Sequence, residues 1–249
     1  RRAGFLHVYG RRRCCSFPPV PAKATDFVIG LTALMISARG GGTNMYINPA
    51  QWDKRALHEL FTSAVVPRPI AWVSTVGANK VFNLAPFSSF TLIGLKPALV
   101  CLQITWRRDR QKKDTLKNIE FSRDFVVGVV TEDLVEVMNQ TCCEYPSDVS
   151  EFKECGLKPV KSSLVKAPLI AESPVNLECR VLQVMEFGVC PTGGHVIIGE
   201  VLAVHVKDEF WSGDKIDAAK LKAVGRLGGD LYCRTTDNFE LKRPKPDIL

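Results

Sequence analysis

The stretch RPIAWVSTVGANKVFNLAPFSSF, residues 68–90, limits what this chain can fold into more than any other. Residues 70–76 (IAWVSTV) are rich in β-branched and aromatic side chains, which fit a pleated, buried surface. Gly77-Ala78-Asn79 supplies a turn, and residues 80–83 read as the returning arm of a hairpin. Pro67 and Pro69 disfavour a helix at the entry and hold the chain extended. Residues 83–90 then pack small polar and aromatic groups together. Asn83 carries both a donor and an acceptor suited to a heterocycle edge, Ser88 and Ser89 add short polar groups, and Phe87 and Phe90 are suited to flank a ring. The plain alternative is a barrel corner with a polar turn, and the stretch alone leaves both open.

The rest of the chain supplies partners for that hairpin. Residues 98–105 (ALVCLQIT) and 125–130 (FVVGVV) are continuous apolar runs, read as buried strands. Residues 175–187 alternate, and residues 195–206 form their antiparallel partner across the turn Pro191-Thr192-Gly193-Gly194. Short helices are expected at 49–62, after Asp114-Thr115 and after Thr131. Residues 142–159 are irregular, and a loop of that length is usually functional or mobile. About six mostly antiparallel strands with short helices between them predict a mainly β, barrel-like fold. The strand–helix alternation near 98–140 imitates a βαβ unit, but no GxGxxG follows a strand.

Charge separates one segment from the body. Residues 1–44 hold seven of the 33 basic residues and one of the 26 acidic ones, so the remainder is within one unit of neutrality. A broad nucleic-acid-binding face is therefore not expected. The segment's arginines and scarcity of acids match an organelle transit peptide. A gene-model extension ahead of Met45, or a secretory apolar core near residues 27–36, are the other readings. The expected division is a presequence-like extension at 1–44, a barrel domain at 45–235 and a polar tail at 236–249. The location is then mitochondrial or another organelle if the presequence is real, and cytoplasmic otherwise. No apolar run reaches the roughly 20 residues of a membrane span, so no membrane partner is expected. Nine cysteines, with no CxxC, argue against a disulfide framework or a zinc site and favour a reducing compartment.

Catalytic constellations are sparse. There is no GxSxG, and His7, His58, His195 and His205 are scattered, so neither a nucleophilic triad nor a metal cluster is expected. Lys112-Lys113-Asp114-Thr115 opens an expected helix, where free N–H groups and a partial positive charge suit phosphate. The alternative is a simple N-cap with solvated lysines.

The ordered set RPIAWVST, NLAPFSSF, KKDTLKNI and GHVIIGEV resembles the flavin reductase-like family of FMN-binding split barrels, over most of residues 60–235. The resemblance implies a six-stranded antiparallel split barrel with peripheral helices, a homodimer, and FMN near the subunit interface. It implies that Arg68, Ser74 and Thr75 lie on an FMN-contacting strand, that Asn83 meets the flavin, and that Ala85, Pro86, Phe87, Ser88 and Ser89 lie beside its ring. Lys113, Asp114 and Thr115 would form the phosphate-binding turn, with His195 and residues 226–232 near flavin or the second subunit. The implied activity is transfer of electrons from NAD(P)H through FMN to an acceptor; the alternative is a flavin-binding electron carrier without NAD(P)H turnover.

Overall fold

The computed structural model describes residues 45–244. The chain separates into two units, Arg1–Ile47 and Asn48–Leu249, and the sheet and helices described here belong to the second. The transit-peptide reading lies outside the described residues, as does the end of the tail.

Seven antiparallel strands form the main sheet. They are β1 (Ala71–Val76), β2 (Phe82–Phe87), β3 (Phe90–Leu95), β4 (Ala98–Thr105), β5 (Asp124–Val129), β6 (Val175–Phe187) and β7 (Gly194–Val206). The hydrogen-bonded order is β2-β1-β5-β6-β7-β4-β3. Its two edges, β2 and β3, are consecutive in the chain and joined only by Ser88-Ser89. Two residues span a few ångströms, so the sheet must curl until its edges meet. Counting β2 and β3 as two halves of one bent run reconciles seven strands with the six of a split barrel.

The hairpin begins where the sequence places it, but its second arm is longer than expected. β2 continues through Ala85-Pro86-Phe87, with Pro86 opposite Trp72. A proline lacks a ladder N–H and is tolerated there because β2 is an edge strand. The turn is tied by Lys80 N–H donating to Gly77 O at 2.9 Å and by Val81 N–H donating to the Asn79 side chain at 3.1 Å.

β1 is buried on both faces, which explains its unbroken apolar run. Ala71 and Val73 face the barrel interior with Phe87, Leu102, Phe125 and Ile197. Trp72 faces outward into a second core with Leu84, Met138, Phe152 and Ile170. Its indole N–H donates to Thr141 Oγ1 at 3.0 Å, so the buried ring leaves no donor unpaired. Helix α1 (Lys54–Ala64) is capped by Asp53. Helix α2 (Asp114–Ser122) closes one end of the barrel through fully buried Leu116 and Ile119, and ends on Arg123 in the left-handed region at φ 60°. Helices α3 (Val135–Gln140) and α4 (Glu151–Glu154) carry Met138 and Phe152 into the outer core.

β7 approaches the interior closely at Gly199. A Cβ there would lie 2.6 Å from Phe125 Cζ, and a register shift between Ile198 and Gly199 marks the bend. At the far side of β6, buried Glu178 accepts N–H bonds from Ser163, Leu164 and Val165 at 2.6–3.1 Å, and lies 2.6 Å from His205 Nε2. Burial works to raise its pKa, but the N–H groups of Ser163 and Leu164 and the His205 ring win and hold it below the usual carboxylate value. Among the described residues no helix is long and apolar enough to cross a membrane.

Candidate functional site

The start of α2 meets β2 at one end of the barrel. There Asn83, Ala85 and Pro86 of β2 face Lys113, Asp114 and Thr115 across a cavity of about 120 Å3. The segment from Thr141 to Tyr145 and Arg107 complete the wall. Thus the first part of the irregular 142–159 segment covers this cavity, and its later part sends Glu151 into it.

A buried polar network holds the two sides together. Thr115 Oγ1 donates to Asn83 Oδ1 at 2.8 Å. Asn83 Nδ2 donates to Glu151 Oε1 at 2.6 Å, and the other carboxylate oxygen accepts from Leu84 N at 2.9 Å. Asn118 Nδ2 donates to Thr75 Oγ1 at 3.0 Å, which in turn lies 3.4 Å from Asn83 Oδ1. One asparagine therefore ties β1, β2, α2 and α4 together.

The electrostatics of the α2 start are positive. Lys113 occupies the N-cap and makes no side-chain capping bond, so it leaves the first N–H groups of the helix open. Its ammonium lies 5.7 Å from the centre of the Phe87 ring and has no ion-pair partner among the described residues. Burial lowers its pKa, with Glu144 and Cys142 acting in the opposite direction. Asp114 is already engaged by Arg107 at 3.2 Å and Lys117 at 3.0 Å. A half-buried ammonium without an ion-pair partner, beside open helical N–H groups, favours an anion.

Other expected site residues lie elsewhere. Arg68 spends its guanidinium on the protein: Nη1 donates to Thr62 O and Val65 O, Nη2 to Leu227 O, and Nε approaches Ser88 Oγ at 3.4 Å. Burial and neighbouring Arg226 lower its pKa. Ser74 is fully buried and its hydroxyl has no partner among the described residues. Ser89 is exposed, and its carbonyl accepts from Gln103 N at 2.9 Å. His195 is 2 % exposed, packs edge-on to Trp106 with ring centres 5.0 Å apart, and neither nitrogen has a hydrogen-bond partner among the described residues. None of these is on the cavity wall. Phe87 and Thr75 reach the cavity only through Lys113 and Asn83.

Glu151 is a site residue that the sequence pattern does not single out. It is 6 % exposed, has no ion-pair partner among the described residues, and lines both the first cavity and a second of about 280 Å3 bounded by Gly77, Asn118 and Phe121. Burial raises its pKa against the opposing hydrogen bonds from Leu84 and Asn83. A glutamate in an aperiodic segment ordinarily reads as solvated. The only hint is the neighbouring Phe152, which anchors the segment to the outer core.

Comparison with known proteins adds relatives matched over nearly their whole length. An uncharacterized protein of Aquifex aeolicus is 37 % identical over 191 residues, covering 76 % of this chain and 95 % of that one. The uncharacterized protein YwrF of Bacillus subtilis is 32 % identical over 207 residues, covering 80 % and 100 %. Among solved structures, nitrilotriacetate monooxygenase component B of Bacillus cereus superposes with a TM-score of 0.77 at 28 % identity, covering 80 % of this chain and all of that one. The 2-nitrobenzoate 2-nitroreductase NbaA of Pseudomonas fluorescens superposes with a TM-score of 0.73 at 29 % identity, covering 82 % and 98 %. The profile of the flavin reductase like domain matches residues 62–215, more than half of the chain, and so the protein belongs to the flavin reductase-like family.

Proposed function

We propose that the protein binds FMN at the β2–α2 cavity and acts as an NAD(P)H-dependent flavin oxidoreductase. The observation that carries the reading is the pairing of Lys113, unpartnered among the described residues and half-buried, with the open N-terminus of α2. The phosphate would be held there by the ammonium and the helical N–H groups, with Thr115 near it. A cavity of about 120 Å3 suits that end of the cofactor, and the strand edge Asn83–Ala85–Pro86 would meet the remainder. Asp114, already committed to Arg107 and Lys117, would orient those cations rather than touch the ligand.

The chemistry the flavin supplies when bound is hydride acceptance from a nicotinamide and electron release to an acceptor. The chain's part is to hold the phosphate, present a polar strand edge and exclude water with residues 141–145. A homodimer fits the exposed apolar edge of β3, where Leu92, Ile93 and Leu95 are 58 %, 48 % and 76 % exposed. An uncovered apolar edge strand invites pairing or cover. Titration of the purified protein with FMN, followed by NADH and NADPH oxidation, tests the proposal. FMN binding with turnover supports it, and binding without turnover supports an electron carrier. No binding at excess FMN removes both.

A further inference from the structure

The side-chain amide of Asn83 is bonded on almost every side. Its Oδ1 faces two hydroxyls, Thr115 at 2.8 Å and Thr75 at 3.4 Å. Its Nδ2 donates to Glu151 at 2.6 Å. Both Glu151 oxygens act as acceptors here, one from Asn83 Nδ2 and one from Leu84 N–H, so the amide cannot turn its oxygen toward Glu151 without placing two acceptors together. Glu151 is itself held by Leu84 N–H on its other oxygen and by the packing of Phe152 beside it. The one polar valence of Asn83 left without a partner among the described residues is the second N–H of Nδ2, and Asn83 lines both cavities.

We propose that Glu151 is a positioning residue that locks the Asn83 carboxamide, so that the cavity offers its ligand an N–H donor here and not a carbonyl. The ligand class follows: a group with an acceptor atom, such as the carbonyl or ring-nitrogen edge of a heterocycle. The naming of that ligand as a flavin rests on the proposed function; the lock itself does not.

The lock can be reversed without emptying the network. In Glu151→Gln the new amide keeps its oxygen on Leu84 N–H and turns its NH2 toward residue 83. Asn83 must then flip, placing its own NH2 toward Thr115, whose hydroxyl can accept. In the double variant Asn83→Asp/Glu151→Gln the bond between residues 83 and 151 is remade with donor and acceptor exchanged, the bonds from Thr115, Thr75 and Leu84 keep their direction, and the side chain of residue 83 has no N–H left to offer. The full chain carrying each change would be followed by three readouts: thermal unfolding, FMN titration by flavin fluorescence, and the Asn83 side-chain amide signal in 15N NMR.

The expected result is that Glu151→Gln moves the Asn83 amide signal and weakens FMN about 5- to 10-fold, the loss of one hydrogen bond to ligand. The double variant is expected to recover unfolding temperature but not FMN affinity. Recovery of affinity in the double variant, or an unmoved Asn83 signal in Glu151→Gln, overturns the proposal. If the unmodified chain binds no FMN, the flavin reading fails by itself. The Asn83 signal then still decides the lock: a shift supports it and no shift refutes it.

Discussion

Replacing Lys113 by alanine separates the phosphate reading from a merely structural one. The side chain is half-buried, forms no ion pair among the described residues, and stands at the open start of α2. A charge-assisted hydrogen bond of this kind contributes about 1.5–3 kcal/mol. At about 1.4 kcal/mol per tenfold, FMN should bind roughly 10- to 100-fold more weakly to Lys113→Ala. Riboflavin, which lacks the phosphate, should bind both proteins within about twofold, because the loss is confined to one charge-assisted contact. Lys113→Arg should retain part of the affinity by keeping the charge. Without ligand the ammonium is desolvated and only partly compensated by Glu144, so alanine should leave unfolding temperature unchanged or raise it. A lysine whose folded pKa lies below its unfolded value binds fewer protons when folded. The ligand-free protein therefore gains stability as pH rises from that lowered value toward about 10.4. Fluorescence titration with both flavins checks the main point. Equal weakening of FMN and riboflavin, or an unchanged FMN affinity, refutes the phosphate assignment.

Other perturbations probe the fold itself. Glu178→Gln turns an NH2 toward backbone donors that now reach a carboxylate at 2.6–3.1 Å, and should cost about 2–4 kcal/mol in denaturant unfolding. Because the folded pKa of Glu178 is depressed, its contribution is present above about pH 4.3 and lost as pH falls through the folded value. An unfolding curve with no acid-side difference between wild type and Glu178→Gln would contradict this. Gly199→Ala drives a methyl group to 2.6 Å from the fully buried Phe125 ring and should destabilise by about 1–3 kcal/mol. Shrinking the ring in Gly199→Ala/Phe125→Leu should recover part of that, and calorimetry would show whether it does. Finally, Ile93→Lys/Leu95→Lys on the β3 edge should shift a dimer to monomer in sedimentation while leaving the circular dichroism unchanged.

The strands were legible because burial on one or both faces leaves a local record. The run in β1, the alternation in β6 and the turn before β7 all sit close to where the residue pattern puts them. Pro86 obscures the extent of β2, because a proline ends most strands and only the sheet order reveals that this one is an edge. The helix start at Asp114 was legible for the same local reason. Its hydrogen bond to β2 leaves no local mark, since Asn83 and Thr115 are 32 positions apart in the chain and meet only in the fold. Arg68 is singled out only by the resemblance, and its donors end on the carbonyls of Thr62, Val65 and Leu227. His195 falls in its expected strand, but the face it presents depends on register with Ile104 and Glu186.

The two-residue link Ser88-Ser89 bears on how the molecule could be opened. It joins the outermost strands of the sheet, so severing the chain there removes no rung from either ladder. A cut or a circular permutation at this point would keep strand content while freeing both margins to drift apart. Because β2 carries Asn83 and β3 carries the exposed Leu92, Ile93 and Leu95, that one covalent stitch keeps the cavity wall and the apolar margin in a fixed spatial relation.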